Sequence, residues 1–554
     1  MILRKNAALL LSSTAALTFS ALTPTPAEAC GGLFCANTPV NQAEEAIIFE
    51  VTEGGRDVTA IINIVYQGSA EEFAWVLPLQ TAPESIEVGS RQAFLTAQGM
   101  TAPQFNITEY ETVGSCDEQV WLASQAEDAS AGGGPQPPAN RNSGVEVIER
   151  KEVGPYDTVV LEGRDPEAVQ GWLVENGFRV TDEMMDMVTP YLAQGDTLVA
   201  LKLLNDKDVG EITPIEVKMT ASEAKPDLEA CIPIRMTAMA ANTDMPITAY
   251  VFSDEGRAIP QNFFHVKPNL LKIDWINWGA NYRDVISRAV DEADQGHAFV
   301  TEYAGSPDIF DGMVYDPAQI NLSAFASLRD LADFLNALQE QGILRRPGVR
   351  SILESHFPAI ADCNAGCGSE QFRGTLIEDP QALIDEIDEK VLAPDRRAQE
   401  LMTRNDYFTR LFTLLDPKEM TLDPQFTYRK DLDDVSNVHT AKMIMYCGLG
   451  GAPGDAGVQI ILEDGRSIYY DSSFEPDMSV IDAMPAAERV EQLAEDRVVR
   501  DNSNEIGDLL QRHNEINDLS GCGCEETSTQ RSAGLSIAAL ALCGFGLLMR
   551  RRRR

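Results

Sequence analysis

Residues 46–51 read AIIFEV and residues 58–66 read VTAIINIVY, two runs rich in the β-branched and aromatic residues that favour strands. A third run, FAWVL at residues 73–77, is followed by Pro78, which predicts that the strand ends there. These runs follow one another without an intervening helix, whereas a doubly wound parallel sheet needs a helix between its strands. We therefore predict an α+β fold built on antiparallel sheets.

Working outward, the sequence predicts a helical pair and then further strands. Asp165 is placed to cap a helix ending near residue 175, and Thr181 to cap a second that ends at Gly195. Strand-like composition returns at 197–203, 214–219, 233–238, 247–252, 270–275 and 298–303. Residues 30–305 are accordingly predicted to form a β-rich α+β ectodomain.

From residue 308 the pattern becomes mainly helical. Leu331, Leu335 and Leu338 recur at helical spacing, and helices are predicted over 328–341, 347–356, 380–390 and 395–415. A late hairpin is predicted at 458–470, turning at Glu463-Asp464-Gly465. Residues 306–484 are therefore predicted to be a mainly helical continuation, and 485–531 an acidic spacer that carries a cysteine motif.

The N-terminus has the three parts of a signal peptide. Arg4 and Lys5 precede an apolar stretch over 7–22, and Ala27-Glu28-Ala29 is a small-x-small cleavage site. Residues 1–29 are thus predicted to be removed between Ala29 and Cys30. The alternatives are an uncleaved N-terminal anchor and a lipid on Cys30; alanine at position 27, where lipoproteins usually carry leucine, argues against the lipid.

The C-terminus predicts an anchor. Gly521-Cys522-Gly523-Cys524 precedes an apolar run over 533–549, so residues 532–554 are predicted to be a single transmembrane helix with a basic end. Arginine is expensive to move through hydrocarbon, so the basic end stays on the cytoplasmic side. The basic end consists of Arg550, Arg551, Arg552, Arg553 and Arg554.

This three-part terminus resembles the MYXO-CTERM sorting signals of myxobacterial surface proteins. The resemblance implies that a sorting protease removes the helix and that Cys522 or Cys524 carries the anchor at the cell surface or outer membrane. The alternative is a retained helix of an inner-membrane protein that faces the periplasm. In both cases the body of the protein is predicted to be extracytoplasmic.

Charge restricts the class of partner. The chain has 86 acidic against 44 basic residues and a formal net charge of −42. Such a surface repels nucleic acid, so no nucleic-acid partner is expected. The acidity favours solubility over divalent-cation binding, since no complete EF-hand loop is present.

The ten cysteines fit an oxidising compartment. Setting aside Cys522, Cys524 and Cys543 leaves seven, so one stays free, pairs outside the set or carries a modification. Proximity in sequence predicts two disulfides, Cys30 with Cys35 and Cys363 with Cys367. The rival for the second is a metal site that uses His356, but one histidine and one C-x3-C pair fall short of the four ligands that zinc usually takes. No metal site is therefore predicted.

No catalytic motif is recognisable, and no catalytic residue or cofactor is predicted. The best thiol–imidazole pair in the sequence is Cys447 with His439, for which a structural cysteine is the favoured interpretation. Arg235 lies between Ile234 and Met236, and a charge in an apolar strand needs a partner, so an ion pair is predicted there.

Several short segments of the body form a recognisable set. They are CGGLFC at 30–35, QAEE at 42–45, FAWVLP at 73–78, GPYD at 154–157, PIRMTA at 233–238 and NYR at 281–283, with a continuation at Thr409-Arg410-Leu411. With these segments, spread over roughly residues 30–305, the body resembles the DUF2330 family of uncharacterised exported bacterial proteins. The resemblance implies export and frequent membrane anchoring, and it supplies no catalytic residues.

Three functions remain open from the sequence. The leading hypothesis is a non-enzymatic envelope module that binds an envelope or extracellular component or helps to organise the surface. The others are a surface hydrolase or thiol enzyme with an unfamiliar site, and an adhesin that depends on divalent cations.

Overall fold

The computed structural model describes residues 41–517 except 53–55, 68–73, 114–145, 179, 205–211, 363–367, 448–455 and 471–478. These residues form two compact units. The first comprises the described residues up to Asn106, those between 126 and His439, and Met484–Ile506; the second comprises the described residues within 107–125, 440–483 and 507–554.

The described strands are β1 Asn41–Val51, β2 Asp57–Gln67, β3 Ala74–Leu79, β4 Pro83–Val88, β5 Gln104–Val113, β6 Glu146–Val153, β7 Tyr156–Glu162, β8 Thr197–Leu203, β9 Ile215–Thr220, β10 Ala230–Cys231, β11 Met245–Ser253, β12 Arg257–Pro260, β13 Phe264–Pro268, β14 Ala298–Gly305, β15 Tyr407–Leu415, β16 Gln425–Arg429, β17 Val438–Cys447, β18 Ala456–Leu462, β19 Ser467–Tyr470, β20 Ala487–Gln492 and β21 Arg497–Asp501.

The described α-helices are α1 Arg91–Thr101, α2 Pro166–Glu175, α3 Asp182–Gln194, α4 Ile234–Thr237, α5 Tyr282–Asp291, α6 Leu331–Glu340, α7 Val349–His356, α8 Pro358–Ala361, α9 Pro380–Ile387, α10 Ala393–Thr403, α11 Ser479–Asp482 and α12 Ser503–Ile516. Short 3-10 helices occur at Leu270–Lys272, Asp294–Gly296, Pro307–Phe310, Leu322–Ser327, Ser369–Phe372 and Leu493–Glu495, and a π-helical turn, Asp388–Leu392, joins α9 to α10.

A ten-stranded sheet is the centre of the first unit, in the order β21-β20-β13-β14-β15-β11-β1-β2-β9-β4. Most neighbours are antiparallel, as predicted, but β1 runs parallel to β11 and β13 parallel to β14. Every residue of β11 is buried, as are all but the first of β15. Strands buried on both faces read as continuous apolar runs, which explains why these two strands do not alternate polar and apolar residues.

A four-stranded sheet, β3-β8-β7-β6, packs against the helical pair α2 and α3. Trp172 and Leu192 of the helices pack with Val76 of β3 in one apolar cluster. The predicted caps are confirmed, since Asp165 accepts the amide of Glu167 and Thr181 accepts that of Met184. These caps fix the ends of the pair against the sheet.

The helices α6, α7 and α9 share a separate apolar cluster with the end of the π-helical turn. Leu331, Leu335 and Leu338 are all buried there, as their spacing predicts. The helix predicted over 395–415 is wrong in its second half, because α10 ends at Thr403 and the following YFTRLFTLL is β15. A short apolar run cannot be assigned to helix or strand by periodicity alone.

The second unit contains the four-stranded sheet β19-β18-β17-β5. The predicted hairpin β18–β19 is confirmed, and Gly465 in its turn has a φ of +84°, which glycine adopts without strain. With β15 to β19 all falling between residues 407 and 470, the prediction of a mainly helical 306–484 holds only for its first half.

The predicted acidic spacer is also corrected. Within 485–531, β20 extends the ten-stranded sheet by pairing with β13, β21 pairs with β20, and α12 follows. The pattern of β20, AERVEQ, buries its apolar side chains although the segment is rich in charge. The strand was not predicted because the segment is rich in charged residues and its burial depends on pairing with β13.

Two further predicted strands are helical turns. Residues 233–238 contain α4, and 270–275 contain a 3-10 helix. Conversely β3 continues through Pro78 to Leu79. Pro78 can occupy this strand because β3 lies at the edge of its sheet, where a missing amide breaks no ladder.

None of the described helices is both long and apolar enough to cross a membrane. The helix predicted over 532–554 lies outside the described residues.

Candidate ligand-binding cavity

A cavity of about 200 Å³ opens where three parts of the first unit meet. The start of α1, the turn between β6 and β7 and the start of α7 form its wall together with the end of the π-helical turn. Pro155, Pro347 and Pro394 lie in that wall, so we call it the proline cavity. Val88, Ile352 and Val391 add further apolar surface.

Two glycines allow the wall to close this tightly. A Cβ atom at Gly89 would lie 2.5 Å from Ile61 Cγ2, far inside van der Waals contact. Gly154 has a φ of +55°, and a Cβ there would lie 2.5 Å from Val88 Cγ2. Any larger residue at either position would push the wall apart, so the cavity depends on these two backbone approaches.

A buried hydrogen-bond chain fixes one side of the proline cavity. Ser90 caps α1 by accepting the amide of Ala93 (2.9 Å), and its hydroxyl donates to Asp395 Oδ1 at 2.6 Å. Arg346 donates to the other oxygen of Asp395. Burial raises the pKa of Asp395, even though the Ser90 hydroxyl and the Arg346 guanidinium act to lower it. This series of hydrogen bonds joins Ser90, the cap of α1, to Asp395 of α10 and to Arg346.

Each member of this arrangement has its hydrogen bonds within the protein. The hydroxyl of Ser90 donates to Asp395, and its oxygen accepts the amide of Ala93. Both oxygens of Asp395 accept, one from Ser90 and one from Arg346, so the three side chains hold one another in place beside the cavity.

The π-helical turn Asp388–Leu392 contributes Lys390 and Val391 to the cavity wall. Two ion pairs link it to the flanking helices, Lys390 with Glu386 of α9 at 2.6 Å and Asp388 with Arg396 of α10 at 2.7 Å. π-helical turns inside α-helices are frequent at functional sites. Its position in the wall is a second feature that marks this cavity.

A separate buried carboxylate, that of Glu45, lies where residues 42–45, 75–78 and 233–237 converge. Glu45 is 3% exposed and accepts hydrogen bonds from Gln42 Nε2 (3.1 Å) and Thr237 Oγ1 (2.9 Å). It faces a space of about 10 Å³ between residues 75–78 and 233–237, room for about one water molecule. Burial raises the pKa of Glu45 to about 7, with Asp423 adding to the shift.

Residues 281–283 and 409–411 meet at a buried ion pair between Arg410 and Glu302. Arg410 Nε lies 2.5 Å from Glu302 Oε2, and their side chains are 3% and 1% exposed. Tyr282 Oη donates to Glu302 Oε1 at 2.9 Å, and the Arg410 guanidinium lies over the Tyr250 ring. The pair joins α5, β14 and β15, which indicates a structural role.

The ion pair predicted for Arg235 is wrong: Arg235 lies in α4 rather than in a strand, and its guanidinium forms no ion pair among the described residues. The backbone amide of Arg235 donates to Asp423 Oδ1 at 3.0 Å, and its guanidinium lies over the Tyr191 ring. Tyr191 Oη donates to Asp423 Oδ2 at 2.5 Å. Nearby, the thiol of Cys231 is free, and burial raises its pKa well above the usual range, which disfavours the reactive thiolate.

Both histidines singled out by sequence have partners among the described residues. His356 bonds to Glu386 at 2.7 Å, and His439 stacks on Phe105 with a ring separation of 4.9 Å. His439 and Cys447 are eight positions apart in the sequence of β17. Within the described ranges, no group of three His, Cys, Asp or Glu side chains could hold a metal ion.

The other predicted site residues lie outside the described residues. They are Ala29, Cys30 and Cys35, the pair Cys363 and Cys367, and Cys522, Cys524, Arg550, Arg551, Arg552, Arg553 and Arg554. The signal-peptide cleavage, the two disulfides and the anchor therefore stay predictions.

Sequence reasoning missed the proline cavity and Glu45. The cavity combines residues more than 300 positions apart, so no local pattern reveals it. Glycines at 89, 154 and 348, two of them beside a proline, are the signal that could have marked its turns.

Comparison with known proteins identifies a family without an assigned activity. The model of the family described as "Uncharacterized protein conserved in bacteria (DUF2330)" matches residues 24–427. No curated protein matches the chain significantly, and no solved structure does.

Proposed function

The chain belongs to the DUF2330 family, and from this premise we propose that it is an extracytoplasmic, anchored binding module whose ligand enters the proline cavity. The observation that carries the proposal is the cavity itself, a concave site with an apolar wall and a few fixed polar groups. Small-molecule sites in proteins have this composition.

The size of the proline cavity restricts its ligand. An apolar cavity of about 150 Å³ holds benzene, so about 200 Å³ accommodates a ring or short alkyl chain with one substituent. Ser351 and Gln92 are polar groups at the wall that a ligand could meet. The ligand class is thus a compact apolar group carried by a larger envelope or extracellular molecule.

A binding role fits the cavity better than catalysis. Both carboxylates in its wall are paired with cations, Asp395 with Arg346 and Glu386 with Lys390. The serine–carboxylate pair in its wall, Ser90 with Asp395, also caps α1 and pairs with Arg346, which fits a positioning role.

Ser351→Trp is expected to weaken binding to the proline cavity at least tenfold. Ser351 is an exposed residue of α7 that lies in the cavity wall, so an indole there fills the cavity without entering the protein core. The measurement is calorimetric titration of the full chain in detergent with 3-phenylpropionate, octanoate and the amides of both acids.

Gln339→Trp is the matched control, because Gln339 is exposed on α6 and lies outside the cavity wall. It should bind the probes as the unmodified chain does. The proposal is wrong if none of the four probes binds, or if Ser351→Trp leaves their affinities unchanged.

The anchoring part of the proposal is supported by the order of cysteine motif, apolar run and arginines at the C-terminus. Mass spectrometry of protein shaved from the surface of its native cells should find a C-terminus at or near Cys522 or Cys524. An intact chain through Arg554 would contradict sorting and cleavage, and would instead indicate a retained helix.

A further inference from the structure

A second cavity adjoins the proline cavity. It has a volume of about 290 Å³, and Gln92 lies in the walls of both. Asp395 lines the proline cavity and Arg346 lines the second, so the ion pair between them connects the two walls. Together the two volumes fall in the range of about 300–1,000 Å³ that is typical of small-molecule sites.

The second cavity is polar where the proline cavity is apolar. Arg345, Gln319 and Gln341 lie in its wall, and we call it the arginine cavity. A ligand that occupies both cavities therefore needs an apolar body and a polar head.

The charged side chains of the arginine cavity indicate the charge of the ligand's polar head. Arg346 is committed to Asp395 and to the carbonyl of Val314 (2.7 Å). The acidic group in this wall, Asp316, accepts from the amide of Ala318 and from Gln319 Nε2. The exposed guanidinium of Arg345 has no ion-pair partner among the described residues. A cation without a carboxylate is therefore available at the cavity.

We propose that the ligand is an amphipathic carboxylate, with its apolar body in the proline cavity and its carboxylate on Arg345 in the arginine cavity. This rests on the function proposed above. A guanidinium matches a carboxylate with two parallel hydrogen bonds, a geometry that an amide or alcohol cannot satisfy equally. The chain as a whole is strongly acidic, so an anion is selected only by a local cation of this kind.

The test compares each acid with its amide, 3-phenylpropionate with 3-phenylpropanamide and octanoate with octanamide. The full chain should bind each acid about tenfold more tightly than its amide, since charge-assisted bidentate hydrogen bonds are stronger than neutral ones. Arg345→Gln should remove that preference while leaving the affinities for the amides unchanged. The preference should also decrease at high salt, because Arg345 is exposed.

Arg56→Gln removes an exposed arginine outside both cavities and should leave every affinity unchanged. If the amides bind as tightly as the acids, or if Arg345→Gln preserves the preference, the carboxylate inference is overturned while the binding function stands. If neither acids nor amides bind in a way that Ser351→Trp prevents, the binding function itself fails.

Discussion

Replacing Arg410 with methionine is expected to lower the free energy of unfolding by about 3–5 kcal/mol. The guanidinium is buried against Glu302, whose other oxygen accepts the Tyr282 hydroxyl. Methionine fills much of the arginine volume but leaves the carboxylate of Glu302 without its counter-charge in the interior. Urea unfolding of the purified chain, followed by tryptophan fluorescence, measures the loss.

The double variant Arg410→Met/Glu302→Gln should recover a large part of that stability, because it removes the uncompensated charge and keeps an acceptor for Tyr282. Arg373→Met is the contrasting control. Arg373 is exposed and pairs with Glu370 and Asp333 at the surface, where such pairs contribute about 1 kcal/mol or less. Equal effects of Arg410→Met and Arg373→Met would contradict the structural role assigned to the buried pair.

Replacing Glu45 with glutamine is expected to raise the free energy of unfolding more at pH 8 than at pH 4, by about 3 kcal/mol. This figure follows from about 1.36 kcal/mol for each unit by which burial raises the pKa of Glu45. Burial raises the pKa of Glu45 from 4.5 to about 7, so the native state holds this proton more tightly than the unfolded chain. The stability that the proton contributes is complete below pH 4.5 and is lost as the pH rises through about 7. Glutamine is neutral throughout and keeps an oxygen for Gln42 and Thr237.

Unfolding free energies of the two chains measured from pH 4 to pH 8 test this prediction. Glu44→Gln, on the same strand and only half-buried, controls for the loss of one negative charge. A stability difference between Glu45→Gln and the unmodified chain that does not change with pH would mean that Glu45 is ionised in the folded protein.

Sequence reasoning located most of the elements whose signal is local. The caps at Asp165 and Thr181 and the hairpin turn at Gly465 are encoded within a few residues, and each is confirmed. The strands β15 and β20 were missed because their identity depends on partners far away in sequence. Over a run as short as β15, apolar residues do not distinguish a buried strand from a helix. This run is a strand because it fills the position between β11 and β14 in the sheet.

The same distinction applies to the site. Glu45 belongs to a segment that the family resemblance quotes, but nothing local distinguishes it from Glu44, which is only half-buried. Its burial follows from the approach of residues 233–237 and 75–78. Arg410 was likewise quoted without its partner, since Glu302 lies 108 positions earlier in the chain.

The position of β15 sets an order for biogenesis. The neighbours β11 and β14 end at Ser253 and Gly305, yet the strand that lies between them begins at Tyr407. At about 5–20 residues per second, a ribosome leaves both apolar edges unpaired for several seconds before it makes their partner. Unpaired strand edges promote aggregation. A holding chaperone would therefore be needed most while residues 306–415 are emerging.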